Sequence, residues 1–365
     1  MILERLYLLQ FKNIREMSLE MAPKANCFLG ENGEGKTNIL DAIHYLSFTK
    51  SYFNQIDNQN INHNEDYFVV QGWYQLNGEG LEIYCGLKRG QKKNFKKNKK
   101  EYERLADHIG ILPLVMVSPS DADLINEGSE VRRKFIDSII SQYDKVYLER
   151  LIDYNKVLLQ RNALLKRFAE TRSYSADLLD VWDIKLSELG RWIYEKRKQF
   201  LSEFIVLFNR YFALLSGGKE EVGIDYKSDL AEHDFYALLK SNLHKDRSAE
   251  YTTAGIHKDD LIFMMNDHPV KKFGSQGQQK SYLIALKLAQ YKHISTLKQT
   301  LPILLLDDIF DKLDVKRVAG LMKIVTSEDF GQLFITDTDP EKLPALLEEL
   351  GVTFKTYFIK EGGLA

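Results

Sequence analysis

The residues best suited to chemistry are Gly30-Glu31-Asn32-Gly33-Glu34-Gly35-Lys36-Thr37, which fit the phosphate-loop pattern G-x-x-x-x-G-K-[ST] without a mismatch. Glycines at these spacings let successive N–H groups turn inward around a phosphate, and a helix starting there adds partial positive charge. In such a loop the Lys36 ammonium reaches the β- and γ-phosphates, and the Thr37 hydroxyl sits on Mg²⁺. A second element, Leu301 to Asp308 (LPILLLDD), is an apolar stretch that ends in two carboxylates. Asp307 would hold Mg²⁺ directly or through water, and Asp308 would orient the attacking water. The pattern therefore implies a nucleoside triphosphate site, with Lys36, Asp307 and Asp308 catalytic and Thr37 and Asp307 on the metal. The competing readings are a glycine-rich turn that carries Lys-Thr and a strand end capped by solvent.

Two further groups are more ambiguous. Gly274-Ser275-Gln276-Gly277-Gln278 reads, taken alone, as a helix N-cap in which Ser275 accepts from N–H groups ahead of it. His257 precedes Asp259 and Asp260, yet no second His or Cys lies near it, so a structural or phosphate-proximal role is favoured over a metal centre.

These residues need elements to hold them. Ala25 to Leu29 reads as a buried strand and Asn38 to Phe48 as a helix, the strand–loop–helix setting that the phosphate loop requires. Before them, Ile2 to Gln10 and Met17 to Met21 have β character, with a turn at Phe11-Lys12-Asn13-Ile14. A β meander is expected from Tyr67 to Leu76, Leu81 to Leu87 and around Phe95, turning at Asn77-Gly78 and Arg89-Gly90. Leu114 to Ser118 is a buried-type strand stopped by Pro119, and Asp121 to Asn126 a short helix. From Glu130 to Gly217 the pattern is helical; Asp177 to Leu215 would span about 60 Å as one helix, with Gly190 its only break. Leu261 to Met265 is a strand, and a helix runs from Ser281 to about Ser295. A helix over Val315 to Val325 joins the Leu301 to Asp308 strand to Gln332 to Thr336, a unit typical of parallel sheets. The expected division is 1–129 and 246–365 for the two parts of an α/β head, with a helical lobe at 130–245.

The chain has 365 residues, 44% hydrophobic and 28% charged, which describes an ordinary folded protein of two or so lobes. Its formal net charge of −2 excludes a protein that is basic throughout, so any nucleic-acid surface must be local. Eight cations fall between Lys88 and Lys100, and Lys92, Lys93, Lys96 and Lys97 are the candidates for DNA-backbone contact. A solvated hairpin whose lysines discourage edge pairing is the equal alternative. Cys27 and Cys85 have no metal or redox spacing, which suits a reducing compartment. No signal-type or membrane-spanning apolar run occurs, so the expectation is a soluble cytoplasmic protein without membrane contact.

In combination the elements carry a resemblance. Ser275-Gln276-Gly277-Gln278, lying between a phosphate loop and an apolar-Asp-Asp strand, matches the signature motif of ABC-type ATPases. Phe11-Lys12-Asn13, Gly30 to Asn38, Ser118-Pro119-Ser120-Asp121, Arg132 to Asp137, Gly255-Ile256-His257-Lys258-Asp259-Asp260-Leu261 and Leu304 to Asp314 complete the order. Over nearly its whole length the chain resembles the RecF family of ABC/SMC-type ATPase heads, and its helical insert lacks the long coiled coil of SMC-type relatives. The resemblance implies an α/β ABC-type head with a phosphate loop, mixed sheets and an inserted all-helical lobe. It implies nucleotide contacts from Lys12 and from Gly30 through Asn38. Ser275, Gly277 and Gln278 would act in trans on the ATP of a second copy, and Asp311 and Asp314 would lie along that dimer seam.

The implied activity is that of a recombination mediator with weak, DNA-stimulated ATPase activity. It would dimerise on ATP, bind double-stranded and gapped DNA, and assist RecA loading with RecO and RecR. Three departures stand out: Lys12 replaces a frequent arginine, Thr336 ends the strand where transporter-type members place a switch histidine, and no glutamine-loop residue is evident. Asp308 is shorter than the glutamate common at its position, which implies slow hydrolysis. The rival readings are a structural ATP-gated DNA clamp with incidental hydrolysis, another SMC-like P-loop ATPase, and, last, a nuclease-coupled ATPase, for which the chain leaves no room.

Overall fold

The computed structural model describes residues 1–54, 56–218, 220–310 and 314–365. Along the chain run β1 (Ile2–Phe11), β2 (Ile14–Glu20), β3 (Ala25–Leu29), α1 (Lys36–Phe48), β4 (Tyr67–Leu76), β5 (Glu79–Lys88), β6 (Asn94–Lys97), β7 (Lys100–Glu101) and β8 (Leu114–Val117). Then follow α2 (Asp123–Asn126), α3 (Ser129–Tyr143), α4 (Lys145–Thr171), α5 (Ala176–Ser216), β9 (Val222–Lys227), α6 (Phe235–Ser241), α7 (Leu243–Ala249), β10 (Asp260–Met265), β11 (His268–Pro269) and α8 (Val270–Phe273). The chain closes with α9 (Gln276–Lys298), β12 (Ile303–Leu306), α10 (Val315–Val325), β13 (Leu333–Asp337), α11 (Lys342–Glu349), β14 (Phe354–Lys360) and β15 (Gly363–Leu364). They separate into two compact units, 1–122 with 211–218 and 276–365, and 123–210 with 219–275.

The first unit has two sheets. One is antiparallel in the order β2-β1-β4-β5-β6-β7; the other runs β15-β14-β3-β13-β12-β8, with its four pairings from β14 to β8 parallel. β3, β8, β12 and β13 are buried along their whole length, as parallel strands covered on both faces must be. α1 meets β1 and β4 of the first sheet and β8 and β13 of the second. Ile39, Leu40, Ile43 and Leu46 therefore join Leu6, Leu8 and Phe68 to Phe28, Leu305 and Phe334 in one core. Gln332 stitches the sheets at the backbone level: its amide oxygen accepts from Leu3 N–H and its amide nitrogen donates to the Leu3 and Ala22 carbonyls.

The second unit is not purely helical. Besides α2 to α8 and most of α5 it holds the antiparallel sheet β11-β10-β9, so its bounds differ from the expected 130–245. β9 and β10 pair over their full length from Asp260↔Lys227 to Met265↔Val222, a long-range match that neither segment's own pattern discloses. The 41-residue α5 runs unbroken through Gly190. A Cβ at that position would lie 2.4 Å from the Phe235 ring and 3.2 Å from Tyr154, so the glycine makes room for an aromatic and does not end the helix.

Buried Arg197 in this unit is met by charged partners. Arg197, 2% exposed, donates from Nε and Nη2 to the two Asp137 oxygens, at 3.0 and 2.9 Å, and from Nη1 to Asp259 and the Ile256 carbonyl. α3 ties the same segment again, through Arg132 to Asp260 at 2.8 Å and Arg133 to the Asp259 carbonyl. His257 is held between the Tyr154 hydroxyl at 2.8 Å and the Thr252 carbonyl at 3.0 Å, and burial pulls its pKa down to about 4. A neutral ring satisfied on both nitrogens is structural, and no metal-type cluster of His, Cys, Asp and Glu occurs among the described residues.

Candidate nucleotide site

β3 delivers the chain to the C-terminal edge of the parallel sheet, where ligands bind in open α/β folds. The Gly30 to Gly35 loop then turns into α1. Gly35 has φ +111°, and a Cβ there would press on the Asn13 amide at 2.8 Å; a Cβ on Gly30 would fall 2.3 Å from the Ile359 carbonyl. Only glycine fits either place. No side chain caps α1, so its first N–H groups, which have no acceptor inside the helix, are left for an anion. Asn13 braces the loop by donating to the Gly33 carbonyl and accepting from Asn38 at 2.7 Å. From the far end of the chain, Gly362 N–H donates to the Glu34 carbonyl at 2.9 Å and Glu361 N–H donates to its carboxylate.

Lys36 is 7% exposed, and its ammonium donates to the Gly30 and Glu31 carbonyls at 2.6 and 2.7 Å. Burial lowers its pKa, opposed by Asp308, Asp307, Asp337 and Glu34 around it. The Thr37 hydroxyl donates to Asp307 Oδ1 at 2.8 Å, and the Thr336 hydroxyl donates to the same oxygen at 2.9 Å. Asp307 is 3% exposed and burial raises its pKa, which the two hydroxyls partly offset. The Thr37–Asp307 separation matches the edge of a Mg²⁺ octahedron, about 2.9 Å for metal–oxygen bonds near 2.05 Å. The donor set thus fits that cation. Asp308 follows with φ +46°, its N–H donating to Thr336 Oγ1 at 2.9 Å, which leaves its carboxylate exposed.

The other expected residues distribute as follows. Glu31, Asn32 and Gly33 form the exposed rim of the loop. The Lys12 ammonium is held by Asp41 of α1 at 2.6 Å, and that fully buried carboxylate also accepts from Ser51 Oγ and Tyr52 N–H. Ser275 directly precedes α9, and Gly277 and Gln278 lie in its first turn, where a Cβ on Gly277 would sit 3.0 Å from Arg317 Nη1. Asp314 caps α10, accepting from Arg317 N–H at 2.9 Å, while Asp311 falls outside the described residues.

Of the basic hairpin, Lys92 and Lys97 are exposed and Lys96 lies over the Tyr84 ring at 5.5 Å. Lys93 is a correction: its ammonium is inside the fold, on the Thr49 carbonyl at 2.5 Å and Asp57 at 2.8 Å, because the hairpin folds it back against Tyr45. Sequence reasoning also missed a buried pair, Lys287 and Asp121 at 2.6 Å, each about 5% exposed or less. The signal available was a lysine inside the otherwise apolar run from Tyr282 to Ala289 of α9. Asp41 offered the same kind of signal in α1.

A family model described as the RecF/RecN/SMC N terminal domain matches residues 2–360. The DNA replication and repair protein RecF of Flavobacterium johnsoniae is 52% identical over 98% of this chain and 99% of its own length. The chain belongs to the RecF family. The RecF protein of Bacteroides fragilis (strain ATCC 25285) agrees, at 48% identity over 100% of this chain and 98% of its own. Among solved structures, the recombination mediator protein RecF with ATP, of the RecFOR pathway, covers this RecF-family chain completely with TM-score 0.90 at 28% identity, using 97% of its own length. An Smc head bound to the C-terminal winged-helix domain of ScpA superposes with TM-score 0.58 at 16% identity, covering 100% of this chain and 96% of its own, a likeness of fold alone. The architecture is that of an ABC/SMC-type ATPase head. Among the described residues no helix is long and apolar enough to cross a membrane.

Proposed function

We propose that this chain binds ATP with Mg²⁺ in the Gly30–Thr37 cradle and hydrolyses it slowly while acting on DNA as a recombination mediator. The observation that carries the reading is the joining of Thr37 to Asp307 at 2.8 Å beside Lys36, since these groups lie 270 residues apart and converge on one sheet edge. In this reading the loop N–H groups and Lys36 take the β- and γ-phosphates, with Lys36 exchanging the Gly30 and Glu31 carbonyls for phosphate oxygens. Thr37 and Asp307 hold Mg²⁺, whose contribution is to neutralise charge that develops on the phosphates. Asp307 carries its negative charge against a burial cost in the ligand-free chain, which favours its pairing with a cation.

ATP then draws two copies together, with Ser275, Gly277 and Gln278 of each reaching the nucleotide of the other and Asp311 and Asp314 along the seam. The closed pair holds double-stranded DNA beside a single-strand gap and cooperates with RecO and RecR in loading RecA. The relatives' role in DNA replication and repair supports this, and the exposed Lys92 and Lys97, with Lys96 beside them, supply a local phosphate-binding surface on a chain of net charge −2. The test is binding to a labelled gapped duplex at fixed salt, with and without ATP, alongside sedimentation of the protein. Tight binding and a dimer only with ATP, both lost in Lys36→Met, are expected. DNA binding indifferent to ATP would remove the nucleotide-gated mediator.

A further inference from the structure

Arg317 is a cation for which the nucleotide chemistry so far has no use. It stands in the first turn of α10, three residues past the Asp314 cap, and its N–H donates to the Asp314 carboxylate at 2.9 Å. A helical side chain there leans back towards the helix start. Its guanidinium reaches the first turn of α9, where a Cβ added to Gly277 would lie 3.0 Å from Nη1. Arg317 is thus seated against the backbone of a residue proposed above to meet the ATP of a second copy. Its ion pair is loose, Nε to Asp314 at 3.5 Å, and the Asp314 side chain is 58% exposed. A cation at the positive ends of two helices is unfavourably placed, and one loose carboxylate offsets only part of that. This corner is short of negative charge. Beside it Val315 is 83% exposed, an apolar side chain that pairing would cover. The charges that act most on Lys36 are Asp308, Asp307, Asp337 and Glu34, and on Asp307 they are Asp308 and Lys36. Arg317 is in neither set, so the anion that suits it is sought outside its own phosphate loop.

We infer that Arg317 donates to the γ-phosphate of the ATP held by a second copy, as a catalytic residue supplied in trans. This rests on the ATP-driven pair proposed above, in which Gly277 meets that nucleotide. A γ-phosphate that reaches the Gly277 N–H comes within reach of the guanidinium beside it. The two sides of the shared site then complement each other. The copy that binds ATP supplies Lys36, Thr37 and Asp307, whereas Ser275, Gly277 and Gln278 across from it are neutral. Arg317 adds a cation to that neutral side, with a planar fork that matches phosphate oxygens. Charge in the transition state is spread over the equatorial oxygens of the γ-phosphoryl group, and a guanidinium brought by a partner stabilises it there. No proton moves through Arg317, which stays charged throughout. Cleavage thereby depends on pairing, and the ATP of a lone chain is spared.

The experiment measures single-turnover ATP cleavage by Arg317→Ala, by Lys36→Met and by their equimolar mixture, with binding of a fluorescent ATP analogue and thermal unfolding on the same preparations. Arg317→Ala is expected to bind the analogue within about 3-fold of wild type and to cleave ATP about 100-fold more slowly. In the mixture, a mixed pair joins the intact loop of the Arg317→Ala chain to the intact Arg317 of the Lys36→Met chain. Cleavage should return, up to about a quarter of wild type, because random pairing makes about half the pairs mixed, each with one complete site. Arg317→Gln, which keeps the stem without the charge, serves if the alanine variant unfolds. A mixture of Ser275→Arg with Lys36→Met is the control for the shared site. Recovery in that control without recovery for Arg317, or cleavage by folded Arg317→Ala within about 2-fold of wild type, would overturn the inference and leave the shared site standing. No recovery in either mixture, or a wild type that forms no ADP, would overturn the shared-site reading with it.

Discussion

Arg197 in the second unit and Asp307 in the first are buried to the same degree, yet their surroundings are opposite. All three guanidinium nitrogens of Arg197 end on protein acceptors, among them both oxygens of Asp137. Burial works against its charge, and Asp137, Tyr147, Tyr226 and Asp259 outweigh it. Asp307 is met by two hydroxyls, and burial raises its pKa against them and against the nearby Lys36 charge. A closed charge network stabilises a fold; an uncompensated one is a site held ready for something with charge to supply.

The largest test of this contrast is Arg197→Met. It strands Asp137 and the 1%-exposed side chain of Asp259, and stability from urea unfolding should fall by about 3–5 kcal/mol. Next in size is an acid effect shared by the histidines that are structural in the same closed sense. His108 is fully buried, with Nε2 on the Leu46 carbonyl at 2.6 Å and Nδ1 on the Tyr102 hydroxyl, and burial lowers its pKa to about 4. The unfolded chain then binds the extra proton between pH 6.5 and 4, so stability rises with pH through that window. Acidification from pH 7 to 5 should cost about 2 kcal/mol through this ring alone, read from unfolding midpoints and flattened in His108→Asn. The smallest effect is the sharpest discriminator. Asp307→Asn keeps an acceptor for Thr37 and Thr336 and removes the burdened charge, so at neutral pH the unfolding midpoint should hold or rise. Because a raised carboxyl pKa means stability lost as pH rises through it, that gain should shrink in acid. A fall comparable to that of Arg197→Met would erase the distinction between the two regions.

What could be read in advance follows the range of the interactions. The phosphate loop, its strand and its helix are local, and the helix Val315–Val325 lies where its apolar spacing and the Asp314 cap place it. The 41-residue α5 was legible too, apart from the role of Gly190, which is decided by Phe235 of another helix. β14 was not: FKTYFIK alternates between core and solvent with two lysines, and only its pairing with β3 declares it a strand. In the site, Lys36, Thr37 and Asp307 came from motif spacing. The inward turn of Lys93, the Asp41 hold on Lys12 and the place of Arg317 against Gly277 depend on contacts that no local pattern encodes.

The brace between Glu34 and Glu361 spans 327 residues, which gives the nucleotide cradle a place in time as well as in space. At about 5–20 residues per second, a ribosome takes roughly 16–65 s to travel from one partner to the other. For most of that interval the emerging loop has its glycines and its lysine but neither Asp307 nor β13, and the hairpin that braces Glu34 follows later still. The cradle therefore closes only after segments made long after its loop have folded back onto it.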